Sequence, residues 1–278
     1  MKLFLLLLTL MCTGVFAART MTETRNSPFT ASPMRSDRAA QPTAQTHSER
    51  TDDPALDSLL NHLSTSCQRL ESLDAYQCVL EIQEVVNGRL RDLETVDMKL
   101  REMPFSVYMR WRSNSQEAIY ADGANNNKML VHPSGALAAI RRVWKMAPES
   151  RLALQSARYP ITDIGLLNLS QKVHDFYKSL PDAHSEIQCG SSSDTRRGAE
   201  VTTFTVAFPS ADLSPNYSKC LYCFDAETGY LIHVENYDWS GQVHPVEYYS
   251  YYVISALKAP DASVFDHTSA EYGFVTRR

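Results

Sequence analysis

The chain has 278 residues, of which 44% are hydrophobic and 21% are charged, and its formal net charge is −5. No basic run or interleaved basic and aromatic patch is present, which argues against nucleic-acid binding and against docking on anionic lipid by charge. The histidines are few and scattered, so we expect no metal ion, and no cofactor motif is present.

The N-terminus has the layout of a secretory signal peptide, because a lysine, an apolar run and small residues follow one another. We predict a signal peptide at residues 1–17, cleavage between Ala17 and Ala18, and export to the periplasm or the extracellular space. Attachment of lipid at Cys12 is the alternative, although a methionine stands where a small residue is usual. No later stretch is apolar for the ~20 residues that a membrane span needs, so we expect no transmembrane span in the mature chain.

Residues 18–52 are rich in Ser, Thr, Pro, Arg, Ala and Gln, and they contain few large apolar residues. Such a segment cannot bury enough apolar surface to offset its ordering entropy, so we predict a disordered tether. Brief proteolysis should trim the chain to near Asp53. Residues 53–278 remain, and they suffice for one domain with a core of its own.

The domain is predicted to begin with a helix after Asp53-Pro54, because leucines recur there at helical spacing. The hydrophobic period then falls to two, which is typical of strands. Asn87-Gly88 is predicted to form the first hairpin turn. Further strands follow at TVDMKLR, LREMPFSVYMRW, EAIYADG and KMLVH.

A second helix is predicted within SARYPITDIGLLNLSQKVHDFYKSL, with Thr162 as its N-cap. The remaining strands are predicted at HSEIQC, AEVTTFTVAF, KCLYCFDAE, GYLIHVENYDW and PVEYYSYYVISAL. Roughly ten antiparallel strands with two helices predict an α+β fold. Its expected form is a curved antiparallel sheet, a half-open β-barrel, with helices covering the concave face.

One face of the early strands is the candidate binding surface. Residues two apart in a strand share a face, so the apolar residues of these strands form one broad stripe. The stripe either lines a pocket for an apolar ligand or forms an ordinary core, and its Met and Trp side chains suit irregular apolar partners. The candidate pocket residues are Leu80, Ile82, Val96, Met98, Leu100, Phe105, Val107, Met109 and Trp111.

Five cysteines follow the signal peptide, and export makes disulfides permissible. A disulfide between Cys67 and Cys78 is one hypothesis, while the connectivity as a whole, including Cys189, cannot be deduced from sequence. Cys220 and Cys223 are predicted to lie on opposite faces of one strand, beyond the reach of a disulfide.

No sequence motif for a nucleophile elbow, a zinc protease or a phosphate loop is present, so we predict that the protein is not an enzyme. Asp163, His174 and Asp175 are interpreted as the solvated side of the second helix, and His233 and His244 as surface residues. The last predicted strand is rich in tyrosine, which suits a sheet edge, a pocket rim or a protein interface, while packing within the fold is the preferred interpretation.

The segments LREMPFSVYMRW, IYADGANNNKMLVHPSG and SARYPITDIGLLNL resemble the characteristic stretches of an exported bacterial family, domain of unknown function 1571. The resemblance covers about residues 64–257. That family is similar to the LolA and LolB lipoprotein carriers, whose half-open β-barrel shelters acyl chains beneath helices.

The resemblance implies a carrier in the cell envelope for an apolar ligand, either a lipid or the acyl chain of a lipoprotein. An envelope protein is the expected delivery partner. Because fold does not fix function, a structural or interaction module with a self-filled core is the alternative.

Overall fold

The computed structural model describes residues 54–135, 143–257 and 262–274. The predicted signal peptide, its cleavage site and the tether lie outside these residues. The helices are α1 (Pro54–Glu71) and α2 (Leu166–Lys178), and the strands are β1 (Ala75–Val86), β2 (Arg89–Leu90), β3 (Glu94–Arg101), β4 (Ser106–Trp111), β5 (Glu117–Ala121), β6 (Met129–His132), β7 (Trp144–Met146), β8 (Gln188–Arg196), β9 (Ala199–Ala207), β10 (Lys219–Asp225), β11 (Leu231–Tyr237) and β12 (Glu247–Ala256).

The strands form one antiparallel sheet in the order β7-β6-β5-β4-β3-β1-β12-β11-β10-β9-β8, and the two-residue β2 pairs with β1. β7 and β8 end the sheet without pairing to each other in the described part of the chain, so the curved sheet stays open. At the centre of the sheet, β1 pairs with β12. This pairing joins the meander from β1 to β7 to the meander from β8 to β12. The predicted fold class is confirmed.

Both helices cover the same face of the sheet. α1 buries Leu59 and Leu63 against β9, β10 and β11, and Leu70 near its end contacts the apolar face of β1 and β3. α2 contributes Tyr177 to the first of these clusters and Leu166 to the second. No helix among the described residues is long and apolar enough to cross a membrane.

The Asn87-Gly88 turn forms as predicted, with positive φ at both residues, and it joins β1 to β2. The structure has twelve strands rather than about ten, because β2 and β7 were not predicted. β8 also starts later than predicted, since a 3-10 helix occupies Pro181–Glu186. β8 is polar and mostly exposed, so it lacks the apolar alternation by which strands are recognised.

The predicted N-cap at Thr162 is wrong. Thr162 lies in a 3-10 turn, Ile161–Asp163, and α2 begins only at Leu166. Gly165 occupies the N-cap position with φ of 122° and makes no side-chain cap hydrogen bond.

The disulfide hypothesis for Cys67 and Cys78 is wrong, because both residues carry buried free thiols. Cys220 lies in the core, whereas Cys223 contacts Thr203 on the opposite face of the sheet, as the strand period requires. The surface prediction for His233 is wrong, since its side chain is 1% exposed.

The opposite face of β4, β5 and β6 is covered by the C-terminal segment, which the sequence did not predict. The Tyr272 ring stacks on Tyr108 with centroids 4.2 Å apart. The backbone N–H of Gly273 donates to Glu117 Oε2 (2.6 Å), and the Tyr108 hydroxyl donates to Glu117 Oε1 (2.9 Å). This half of the sheet is therefore buried on both faces.

Candidate functional site

The structure brings all nine candidate pocket residues together in one apolar cluster on the helix-covered face of the sheet. Six of them are no more than 5% exposed, and three at the rim are only partly buried. The rim residues are Ile82, Phe105 and Trp111. The Trp111 ring N–H donates to Glu94 Oε2 (2.8 Å), which provides the polar partner that a half-buried indole needs.

The first turn of α2 fits closely over this cluster. The backbone N–H of Leu166 donates to the Tyr76 hydroxyl (2.8 Å). A Cβ atom on Gly165 would lie 2.8 Å from Leu100 Cδ1, and the φ of 122° at this residue strains any side chain, so glycine suits this close approach. The Ser66 and Ser170 hydroxyls, 2.9 Å apart, join α1 to α2.

Residues 147–165, here called the strap, connect β7 to α2 and cover the remaining part of the cluster. Ala153, Ile161 and Ile164 of the strap pack against the apolar face, but each is only partly buried. Every residue of the strap from Glu149 to Ile164 is half-buried or exposed. Apolar burial alone therefore holds this segment weakly.

Polar contacts attach the strap to two buried carboxylates, Glu84 of β1 and Glu247 of β12, which lie directly opposite each other. The backbone N–H of Arg158 donates to Glu84 Oε2 (2.9 Å), and its guanidinium Nε lies 2.6 Å from Glu247 Oε1. The Tyr159 hydroxyl also donates to Glu247 Oε1 (2.6 Å).

Three further side chains complete this polar network. The Tyr217 hydroxyl donates to Glu247 Oε1 (2.8 Å), and the Asn236 amide donates to Glu247 Oε2 (2.7 Å). The Tyr249 hydroxyl donates to Glu84 Oε1. Burial raises the pKa of Glu84 above its ordinary value.

Sequence reasoning missed this network. Its two glutamates lie in strands whose apolar and polar residues alternate in the usual way. A single sequence does not show that a glutamate in such a strand is buried. The one available signal was that the Arg158-Tyr159 pair lies in the segment SARYPITDIGLLNL, on which the family resemblance rests.

A cavity of about 310 Å³ opens at the rim of the apolar cluster. Phe105 and Leu167 belong both to this cavity and to the cluster. Glu102 Oε1 is buried without a hydrogen-bond partner, and burial raises the pKa of Glu102 to about 7. The cavity is lined by Glu102, Phe105, Asp122, Thr162, Leu167, Asn168 and Gln171.

The site is thus an apolar sheet face beneath two helices and a strap, with acidic groups at its rim. In the described part of the chain, no three His, Cys, Asp or Glu side chains are placed to hold a metal ion. Sheet, cover and apolar face together define the class of the fold, an open antiparallel sheet with one face covered by two helices.

The chain belongs to the family described as "Protein of unknown function (DUF1571)", which matches residues 73–274. No curated protein matches it. The chain is similar to the lipoprotein LppX of Mycobacterium tuberculosis, with 11% identity, TM-score 0.40, and coverage of 70% of this chain and 94% of that one.

Two further solved structures are similar to the chain. LprF of Mycobacterium bovis has 10% identity, a TM-score of 0.42, and coverage of 74% of this chain and 97% of that one. The LolA superfamily protein NE2245 of Nitrosomonas europaea has 11% identity, a TM-score of 0.26, and coverage of 74% and 96% respectively.

Proposed function

We propose that this protein is an exported binding or carrier protein for an apolar ligand in the cell envelope, and that it performs no covalent chemistry. The ligand is a lipid or the acyl chain of a lipoprotein. One observation supports this: nine apolar side chains of β1, β3 and β4 and their flanks form a continuous face beneath α2 and the strap. Burying an acyl chain there would yield about 0.8 kcal/mol for each CH₂ group.

The ligand reaches this face from the rim. Phe105 and Trp111 are already partly exposed there, and the strap beside them has no fully buried residue between Glu149 and Ile164. Segments with few buried contacts open at a lower free energy than the core does. We therefore expect the ligand to displace only the part of the strap beside this rim, while the contacts of Arg158 and Tyr159 to Glu247 and the packing of α1 on the sheet are kept.

A structural or interaction module with a self-filled core is the second candidate. Six of the nine residues are almost completely buried, and interiors packed to native density leave no room for a guest. In that case the function would lie on the outer surface.

Native mass spectrometry of the full mature protein, purified from the cell envelope or the medium, separates the two candidates. A chain that carries a lipid mass, removable with detergent, supports the carrier. A bare chain that also fails to take up the apolar fluorescent probe N-phenylnaphthylamine supports the module instead.

A substitution at the rim then tests the location of the site. Phe105→Gln should weaken probe binding by about tenfold, or about 1.4 kcal/mol, because the ring supplies apolar contact area at the entry. Leu93→Gln is the matched control, since Leu93 is 52% exposed and lies outside the apolar clusters. Equal effects of the two substitutions, at unchanged melting temperature, would contradict this location.

A further inference from the structure

The cavity at the rim is built from four separate parts of the fold, one of which is the strap with Thr162. Glu102 follows β3, Asp122 follows β5, and Asn168 and Gln171 lie on α2. Residues three apart share a helix face, so both amides of α2 face the same side. Carboxylate, amide and hydroxyl oxygens thus come together from elements that are distant in sequence.

The charges of the lining disfavour an anion. It contains two carboxylates, and within the described residues no Lys, Arg or His lines it. The nearest basic residue along α2, Lys172, is paired with Asp163 (Nζ to Oδ2, 2.5 Å). An anionic group entering the cavity would therefore meet like charge without compensation.

The donors of the lining, on Thr162, Asn168 and Gln171, do not reach Glu102 Oε1. Glu102 Oε1 is buried without a hydrogen bond, whereas Asp122 Oδ1 accepts one from the Tyr120 hydroxyl (2.7 Å). A buried oxygen without a donor is costly and calls for a specific explanation. A ligand that brings N–H donors to this place would remove that cost.

The cavity is continuous with the apolar face. Phe105 and Leu167 contribute to both, so an occupant that contacts the carboxylates also contacts the apolar cluster. Phe105 is the aromatic residue of this lining, and its ring lies 6.2 Å from that of Tyr120. Carboxylates attract an ammonium group of either kind, and an aromatic ring adds a cation–π attraction that does not distinguish a primary from a quaternary ammonium group.

We propose that this cavity binds the primary ammonium group of an amphiphile whose apolar chain lies on the neighbouring apolar face. The inference rests on the proposed function, and it specifies the chemical class of the ligand. A primary ammonium group has three N–H donors, which suit Glu102, Asp122 and a side-chain oxygen of α2. A trimethylammonium group has no donor and would leave Glu102 Oε1 unsatisfied.

The ionisation of Glu102 provides a second test of ammonium binding, through its pH dependence. Its raised pKa, about 7, means that part of the population is protonated near neutral pH. A bound ammonium group favours the carboxylate and displaces that proton. The other titratable groups around it are Asp122, Tyr76 and Tyr251, and burial raises the pKa of both tyrosines, so they remain neutral. Amine affinity should therefore rise between about pH 6 and about pH 8.

The test is isothermal titration calorimetry of the full mature protein with octylamine, octanol and octanoate, which share one chain length. We expect octylamine to bind about tenfold more tightly than octanol, and octanoate to bind more weakly than both. Octyltrimethylammonium should bind more weakly than octylamine. The octylamine affinity should rise with pH, whereas the octanol affinity should not.

Glu102→Gln should lower the affinity for octylamine about tenfold and abolish the pH dependence of that affinity. The affinity for octanol should change by less than about twofold. Glu71→Gln, an exposed change of the same charge at the end of α1, is the control and should change neither. Asp122→Asn serves as the second variant if Glu102→Gln does not fold.

The outcomes distinguish this inference from the proposed function. If none of the octyl compounds binds, the proposed function fails and this inference fails with it. If octanol binds as tightly as octylamine and Glu102→Gln alters neither, the proposed function stands and the ammonium site is overturned. Equal binding of octylamine and octyltrimethylammonium would overturn the assignment to a primary ammonium group.

Discussion

At the scale of single residues, Arg158 resolves an electrostatic conflict inside the fold. Glu84 and Glu247 face each other across neighbouring strands, an arrangement that destabilises a sheet when both side chains are charged. The Arg158 guanidinium contacts Glu247, and the backbone N–H of the same residue satisfies Glu84. One strap residue thus compensates both carboxylates.

Replacing Arg158 should therefore be costly. Arg158→Met should lower the free energy of unfolding by about 2–3 kcal/mol, because it leaves buried carboxylates without a cation. This loss is smaller than that expected for a fully buried ion pair, because the Arg158 side chain is 31% exposed. Urea unfolding measures the effect.

Arg112→Met is the matched control for this prediction. The pair between Arg112 and Asp97 is equally short, at 2.6 Å, but both side chains are about half exposed. Exposed ion pairs contribute less than about 1 kcal/mol to stability, so the free energy of unfolding of this variant should be close to that of the wild type. Similar losses of unfolding free energy in the two variants would show that Arg158 does not stabilise the buried carboxylates.

At the scale of elements, the start of α2 is set by tertiary contacts. Gly165 combines φ of 122° with a close approach to Leu100 and to the Tyr76 hydroxyl. A side chain at this position is strained both by the backbone conformation and by the lack of space. α2 therefore begins where the sheet below requires a glycine.

Gly165→Ala should lower the melting temperature by several degrees, equivalent to about 1–3 kcal/mol. Gly190→Ala in β8 is the control, because a Cβ there meets no atom within 4 Å. That variant should melt within about a degree of the wild type, or slightly higher, since alanine reduces the entropy of the unfolded chain. A neutral Gly165→Ala substitution would contradict the packing described here.

The same element shows which features could be predicted from the sequence. α1 and the Asn87-Gly88 turn carry local signals, and both were predicted correctly. The beginning of α2 was not, because Thr162 looks like a cap while Gly165 responds to strands far away in the chain. The stripe from Phe105 to Trp111 was placed on one face by its period alone. The buried environments of Glu102 at the rim and of Glu84 and Glu247 beneath the strap could not be predicted, because the residues around them are brought near only by folding.

At the scale of the whole molecule, the sheet is covered on both faces where β4, β5 and β6 lie. The C-terminal segment supplies the second cover through Tyr272 and Phe274, which pack on Tyr108, Ile119 and Leu130. Sequence patterns gave no sign of it, since the segment has no regular period.

Deleting residues 262–278 should destabilise the domain by about 3 kcal/mol or more, because the burial of three aromatic side chains, Phe265, Tyr272 and Phe274, is lost. The truncated protein should also bind a dye for exposed apolar surface, such as anilinonaphthalene sulfonate. Deletion of residues 275–278 alone is the reference, and the further loss of stability in the longer deletion measures what residues 262–274 contribute. Equal melting temperatures of the two truncated proteins would argue against this role of the segment.

The central position of β1 also determines the order in which the chain can fold. The first strand has β3 on one side and β12, the last strand, on the other. Contacts between segments so far apart in sequence form slowly, because the entropy of closing the intervening loop must be offset first. Each meander can pair its own strands early, but the middle of the sheet stays unpaired until the last strand has emerged. If the chain is exported from its N-terminus as proposed, it completes its sheet only after nearly all of it has crossed the membrane.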